Sequence, residues 1–277
     1  MTRNDPSAGG RVVDGVVDVS TGPVFYRDSG GNGVPVVFLH AASGNSMTWE
    51  HQIPAFLGAG YRFIAIDYRG ADRKSGARDW SGQIHALVTR LALDRFHLLG
   101  TALGGGTAFQ YVLAYPQKVR SLVIANSHGN VTDKDYVEMG KRIRPSPQFD
   151  ALPVDFRELG PSYRAADPAG AARWLAVSQG KSPVDSAAPV PTAAGAEARF
   201  TLTPERAVTW AKLEALAVPT LLIAGDADLY MPPSVLRMFV AHMSKAESAV
   251  IPETGHSSYW ESPEAFNRIV LAFIAKH

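Results

Sequence analysis

The sequence predicts an α/β fold: a mostly parallel central sheet with helices on both faces and a mostly helical insertion near the middle of the chain. Three observations predict it. Continuous apolar runs at 34–39, 61–67, 96–100, 119–125 and 220–224 read as strands covered on both faces. Segments with apolar residues at helical spacing alternate with them, the pattern that builds parallel sheets through crossovers. Between 131 and 194 the strand pattern gives way to Pro, Ala, Arg and scattered aromatics.

Bulk composition narrows the function classes. The chain has 277 residues, enough for a sizeable core, with 27 Lys and Arg against 26 Asp and Glu. That balance argues against nucleic acid or an anionic membrane as partner and for a neutral or weakly charged small molecule. There is no cysteine, which excludes disulfides, a thiolate nucleophile and a cysteine zinc site. The first ten residues are polar, without the basic and then apolar pattern of a signal peptide. Apolar runs elsewhere are too short to span a bilayer, so a cytoplasmic protein is expected.

In order, 12–19 and 23–27 alternate loosely and read as an antiparallel entry hairpin ahead of the turn Gly30-Gly31-Asn32-Gly33. The strand at 34–39 ends in His40-Ala41-Ala42-Ser43-Gly44, after which Ser46 is the expected cap of a helix carrying Trp49, Ile53 and Phe56. The strand at 61–67 ends in Tyr68-Arg69-Gly70. A helix over about 81–92 then places Ile84, Leu87, Val88 and Leu91 on one face. The strand at 96–100 runs into a turn, a helix over 103–114 leaves it, and Pro116 stops that helix. A strand at 119–125 precedes the insertion, which includes the low-complexity stretch 186–196. Thr203-Pro204-Glu205 is expected to open a helix through Leu216. Alternation resumes with a strand at 220–224, a helix at 234–242, a strand at 248–251 and a closing helix over 263–275. The division is a core of 1–130 and 203–277 with a helical cap over 131–202, and no internal repeat is present.

Three sites fall at strand ends, where open α/β sheets bind ligands. The first, Gly100-Thr101-Ala102-Leu103-Gly104, has the G-x-S-x-G form of a nucleophile elbow with alanine in place of serine. The second is Gly225-Asp226-Ala227-Asp228-Leu229-Tyr230-Met231-Pro232, and the third is Gly255-His256-Ser257. Nucleophile position, acid and histidine follow in that order.

On these motifs and their order the chain resembles the α/β-hydrolase fold family, in particular its cap-bearing esterase, lactonase and carbon–carbon hydrolase branches. The resemblance covers nearly everything from Val34 onward except the insertion. It implies His256 as the base, Asp228 as the acid that orients it, with Asp226 the competing acid, and Ala102 at the nucleophile position. The backbone N–H groups of Leu103 and Ala42 are the implied oxyanion donors, with Ala41 standing where the family has glycine. Gly104-Gly105-Gly106 reads both as part of the elbow and as close helix–sheet packing, and it does not match a dinucleotide fingerprint.

His51, His85, His97 and His242 read as packed or surface residues. His128, following a strand, is a candidate for touching substrate, with Tyr230 beside the acid. Phe156, Tyr163 and Trp174 either line an apolar pocket or form the cap's own core. No histidine pair has metal-ligand spacing, and neither a metal nor a cofactor is expected.

Ala102 has two readings: an engineered replacement of a serine, or a natural loss of the nucleophile. The surviving acid and base favour the first. The expected activity is therefore hydrolysis of an ester or lactone of a small, hydrophobic or aromatic substrate, disabled at position 102. The alternatives are cleavage of a carbon–carbon bond in a ring-cleavage diketone and, if the alanine is native, a cofactor-free oxygenase dyad or a ligand-binding protein.

Overall fold

The computed structural model describes residues 12–19, 22–67, 79–180 and 206–277. Among them a single eight-stranded sheet runs through β1 (Val13–Val19), β2 (Gly22–Asp28), β3 (Pro35–Leu39), β4 (Arg62–Asp67), β5 (Phe96–Thr101), β6 (Val119–Ala125), β7 (Thr220–Gly225) and β8 (Glu247–Ile251), in the order β1-β2-β4-β3-β5-β6-β7-β8. The entry hairpin is antiparallel and adds β2 antiparallel to β4; every later pairing is parallel. The predicted fold class is the one observed.

Register decides where the site lies. Leu39 pairs with Gly100, Thr101 with Ala125, Ala125 with Ile223 and Gly225 with Ile251, so β3, β5, β6, β7 and β8 end along one edge. The loops carrying Ala42, Ala102, Asn126, Asp228 and His256 all leave that edge.

The continuous apolar strands bury both faces, and a separate apolar layer covers each. One layer packs Val37, Leu39, Ile64, Leu98 and Ile124 against α2 (Trp80–Arg90), α3 (Leu103–Ala114) and the Phe239 side of α9 (Pro233–His242). The other packs Val36, Phe38, Leu99 and Val123 against Trp49, α1 (Gln52–Gly58) and α11 (Pro263–Ile274).

Two helix starts differ from expectation. Ser46 is the first residue of a 3₁₀ turn, Ser46–Trp49, and the cap is Asn45, whose side chain accepts from the Met47 N–H at 2.8 Å. Of the helix expected from Thr203-Pro204-Glu205 through Leu216, the described part is helical over α8 (Trp210–Glu214), capped by Thr209. Tertiary pairing displaces it: Val208 bridges to Val131, the Thr132 N–H donates to the Val208 carbonyl at 2.9 Å, and Asp133 accepts from the Trp210 N–H at 3.0 Å. Those bonds pin the two ends of the insertion together at 131–133 and 208–210. The insertion carries α4 (Lys134–Ile143), α5 (Val154–Glu158), α6 (Pro161–Ala166) and α7 (Pro168–Ser178). The strand end at 68–70, the low-complexity stretch 186–196 and residues 203–205 lie outside the described residues.

Candidate active site

The elbow forms with alanine at its apex. β5 ends at Thr101, α3 starts at Leu103, and between them Ala102 has φ 50° and ψ −117°, a backbone region that costs a residue with a side chain about 1–3 kcal/mol. The surroundings hold it there. The Ala102 N–H donates to the Ala125 carbonyl at 3.1 Å, and the Ser127 hydroxyl donates to the Ala102 carbonyl at 2.5 Å. The flanking glycines are required by proximity. A Cβ on Gly100 would overlap the Gly104 backbone, and one on Gly104 would overlap the carbonyls of Leu39 and His40, so the start of α3 lies directly on the end of β3. Gly105 packs in the same way against the Ser127 side chain.

This contact sets the Ala42 turn beside the elbow. The Gly44 N–H closes the turn onto the Ala41 carbonyl at 3.1 Å, and buried His40 places Nδ1 2.7 Å from that carbonyl and Nε2 3.7 Å from Asp67. Ala41 is not among the described residues with positive φ, so its Cβ costs the turn no strain. Like every first residue of an α-helix, Leu103 has no intrahelical acceptor for its N–H, and the helix dipole there favours an anion.

Asp228 and His256 are 3% and 4% exposed. His256 Nδ1 lies 3.0 and 2.9 Å from the two Asp228 oxygens. One of those oxygens also accepts from the Tyr230 and Met231 N–H groups at 2.8 and 2.9 Å, and the other from the Asn126 side-chain amide at 3.1 Å. Burial works against the charge on Asp228, yet His256 and these donors outweigh it and hold the carboxyl below its ordinary range. Burial likewise opposes a charged His256, and Asp228 together with Glu158 overcomes it, raising the imidazole above its ordinary value. With Nδ1–H committed to Asp228, Nε2 is the nitrogen left to accept a proton. Asp226 plays a different part, accepting from the Glu253 N–H at 2.7 Å and tying two loop ends together.

Tyr230 and His128 also come to this place. The Tyr230 ring lies 4.4 Å from the His256 ring, and its hydroxyl accepts from Arg157 at 2.9 Å. His128 lies within electrostatic range of His256, Asp228 and Arg144; burial first and Arg144 second push its imidazole down to about 3.

The three cap aromatics are placed elsewhere. Trp174 is 1% exposed and packs with Leu159, Tyr259 and Trp260, Tyr163 accepts from Trp260 Nε1 at 3.1 Å, and Phe156 is 40% exposed beneath the Arg164 guanidinium. Trp174 and Tyr163 join the apolar layer on the α1 and α11 face of the sheet rather than a core of the cap's own. His97 bonds Ser121 at 2.8 Å and His242 bonds Glu214 at 2.7 Å, both structural contacts.

Two contributors carry no motif. Asn126, with φ 47°, stands directly after β6 and bridges Asp228 to the Gly255 carbonyl at 3.0 Å while accepting from the Ser258 hydroxyl at 2.5 Å. A polar residue at the end of a buried strand was the available signal. Glu158 closes α5 beneath the cap, 5% exposed, and its carbonyl accepts from the Ser257 N–H at 3.0 Å.

Residues 34–263 match the family described as alpha/beta hydrolase fold. The chain belongs to the α/β-hydrolase fold family. Among its relatives is a 2-hydroxy-6-oxononadienedioate/2-hydroxy-6-oxononatrienedioate hydrolase of Burkholderia vietnamiensis, 26% identical, the alignment covering 98% of this chain and 97% of the relative. In structure it is similar to a thermophilic esterase from Thermogutta terrifontis, with TM-score 0.73 at 22% identity over 96% and 98% of the two chains. It is also similar to the enol-lactonase from Burkholderia xenovorans, with TM-score 0.72 at 19% identity over 94% and 100%. At those identities the solved structures show the shared fold. At the strand edge built above, the buried Asp228–His256 pair and the elbow come together, with a methyl group at the elbow's apex.

Proposed function

We propose that this is the site of an ester or lactone hydrolase whose nucleophile position holds Ala102. The observation that carries the reading is the buried Asp228–His256 pair beside an elbow that keeps its strained backbone without a hydroxyl to present. With serine at 102, His256 Nε2 takes the hydroxyl proton as the oxygen bonds to the substrate carbonyl carbon. The N–H groups of Ala42 and Leu103 receive the negative oxygen. Collapse breaks the carbon–oxygen bond to the leaving alcohol, which takes the proton from His256, and water repeats the sequence to free the acid. Ala102 removes the first of these steps and leaves the rest of the site in place, so the chain as it stands binds substrate without forming an acyl-enzyme.

The test is Ala102→Ser, assayed on p-nitrophenyl esters and a panel of lactones. Activity should rise by at least about a thousandfold over the alanine form, given what a triad member is worth elsewhere, and should vanish again in the Ala102→Ser, His256→Ala double variant. No gain overturns the reading. Turnover of a dienol diketone with esters untouched would assign the carbon–carbon bond instead.

A further inference from the structure

Glu158 is a carboxylate that acyl transfer does not use. It ends α5, lies 5% exposed, and is tied to the base from behind, since its backbone carbonyl holds the N–H of the residue after His256. Ser43, on the turn that carries Ala42, lies close enough to its side chain to favour the charged form, and the carboxyl interacts electrostatically with His256, Asp228, Tyr230 and Tyr259. One oxygen, Oε2, is buried with no hydrogen-bond partner among the described residues. A buried carboxyl oxygen left unsatisfied costs roughly 1–3 kcal/mol, and cores shed such groups unless something else satisfies them. The side chains within electrostatic range of it are those of the base, its acid, Ser43, Arg157 and the two tyrosines, and none of them bonds this oxygen. A donor on the bound molecule would satisfy Oε2.

We propose that Glu158 is a specificity-determining residue that hydrogen-bonds a neutral hydroxyl of the substrate, close to the reacting carbonyl. The assignment rests on the ester-binding reading above. The proximity of Ser43 sets the carboxyl near the Ala42 turn, where the carbonyl oxygen docks, so the partner hydroxyl lies one or two bonds from the carbonyl carbon, as in a 2-hydroxy ester. Burial raises the carboxyl above its ordinary range, more than the nearby His256, Ser43 and Arg157 lower it. Burial that opposes the charge on this carboxyl weakens its preference for a protonated amine and favours a neutral hydroxyl.

The alanine chain allows a direct test, because bound esters survive. Binding of methyl phenylacetate, methyl mandelate and phenylglycine methyl ester is measured by calorimetry at pH 6, a matched series carrying hydrogen, hydroxyl or ammonium at the same carbon. Mandelate, in one enantiomer, should bind about three- to tenfold more tightly than phenylacetate. Glu158→Leu should erase that preference and Glu158→Gln should keep part of it, with thermal melts reporting whether each variant is folded. If Glu158→Leu does not fold, the mandelate preference of the unaltered chain and its change in Glu158→Gln decide. Equal binding of mandelate and phenylacetate, or a preference for the ammonium ester, overturns the role of Glu158 and leaves the ester site standing. Failure of all three esters to bind overturns both.

Discussion

Asn126 donates one side-chain amide to two acceptors, the Asp228 carboxylate at 3.1 Å and the Gly255 carbonyl at 3.0 Å, so a single residue fixes both the acid and the loop that carries the base. Its own oxygen is held by Ser258. In the Ala102→Ser background, Asn126→Leu removes a donor from a buried carboxylate and should lower kcat/KM by about tenfold to a hundredfold. The pH profile separates this from simple loosening. Without the amide the carboxylate holds the imidazolium more tightly, so the acid limb of kcat/KM moves to higher pH. Asn126→Asp, which sets a second carboxylate beside His256, should move it further. Unchanged limbs in both variants would reduce Asn126 to a packing residue.

The elbow makes opposite predictions two residues apart. At Ala102 the backbone is strained for any residue with a Cβ, so Ala102→Gly should stabilise the fold by about 1 kcal/mol, worth roughly 2–4 °C in Tm for a chain of this size. At Gly104 a Cβ would run into the backbone carbonyls of Leu39 and His40, which cannot step aside as a flexible side chain could. Gly104→Ala should therefore destabilise by about 2–4 kcal/mol. Urea denaturation of the two variants checks both signs, and destabilisation by Ala102→Gly would show that the elbow holds no strain.

Much of this site is legible in the sequence because strand ends and turns are local. Gly100, Gly104, Asp228 and His256 each sit where an apolar run stops, and the register of parallel strands brings those ends together without further information. What escapes is long-range. The helix expected to run through 206–209 yields there to the pairing of Val208 with Val131, a contact across 77 residues that no local propensity announces. Ser46 loses its role as cap because the turn starts one residue earlier than expected, with the Asn45 side chain accepting from the Met47 N–H at 2.8 Å and the Ser46 N–H held by Asp67 at 2.5 Å. Glu158 carries no periodic or motif signal, because a cap packs by its own shape over the site, and its importance comes only from what surrounds it once folded. Trp174 illustrates the same point: an aromatic in a helical cap suits a pocket wall or a core equally well, and burial against Leu159 and Trp260 gives it to the core.

The dyad predicts a pH window for stability. Asp228 is held below its ordinary range, so its contribution is present above the unfolded value and is lost as pH falls through the folded one. His256 is raised, so its contribution is complete below its unfolded value of about 6.5 and is lost as pH rises through the folded one. Both are present between about pH 4 and 6.5. The stability difference between the unaltered chain and His256→Ala should peak in that window and shrink on either side. Urea midpoints from pH 3 to 9 measure it, and a difference that keeps growing above pH 8 would reverse the direction assigned to His256.

Glu261 carries the last prediction, and its sign is opposite to that of Asp228. Its carboxylate accepts from the Gly160 N–H at 2.8 Å, the Gly255 N–H at 2.9 and 3.0 Å and the Ser257 N–H at 3.3 Å, clasping the cap to the His256 loop. Burial is the largest influence and exceeds these three donors, so the group is pushed up from 4.5 to about 7. Between those values the unfolded chain has released the proton that the folded chain still holds. Stability at this site therefore falls as pH rises from about 4.5 to 7. Glu261→Gln, a neutral replacement of the same shape, should match the unaltered chain at pH 4 and become the more stable of the two by pH 8. If the unaltered chain instead gains on the glutamine variant as pH rises, the three backbone donors outweigh burial, and the clasp between cap and base loop is strongest when charged.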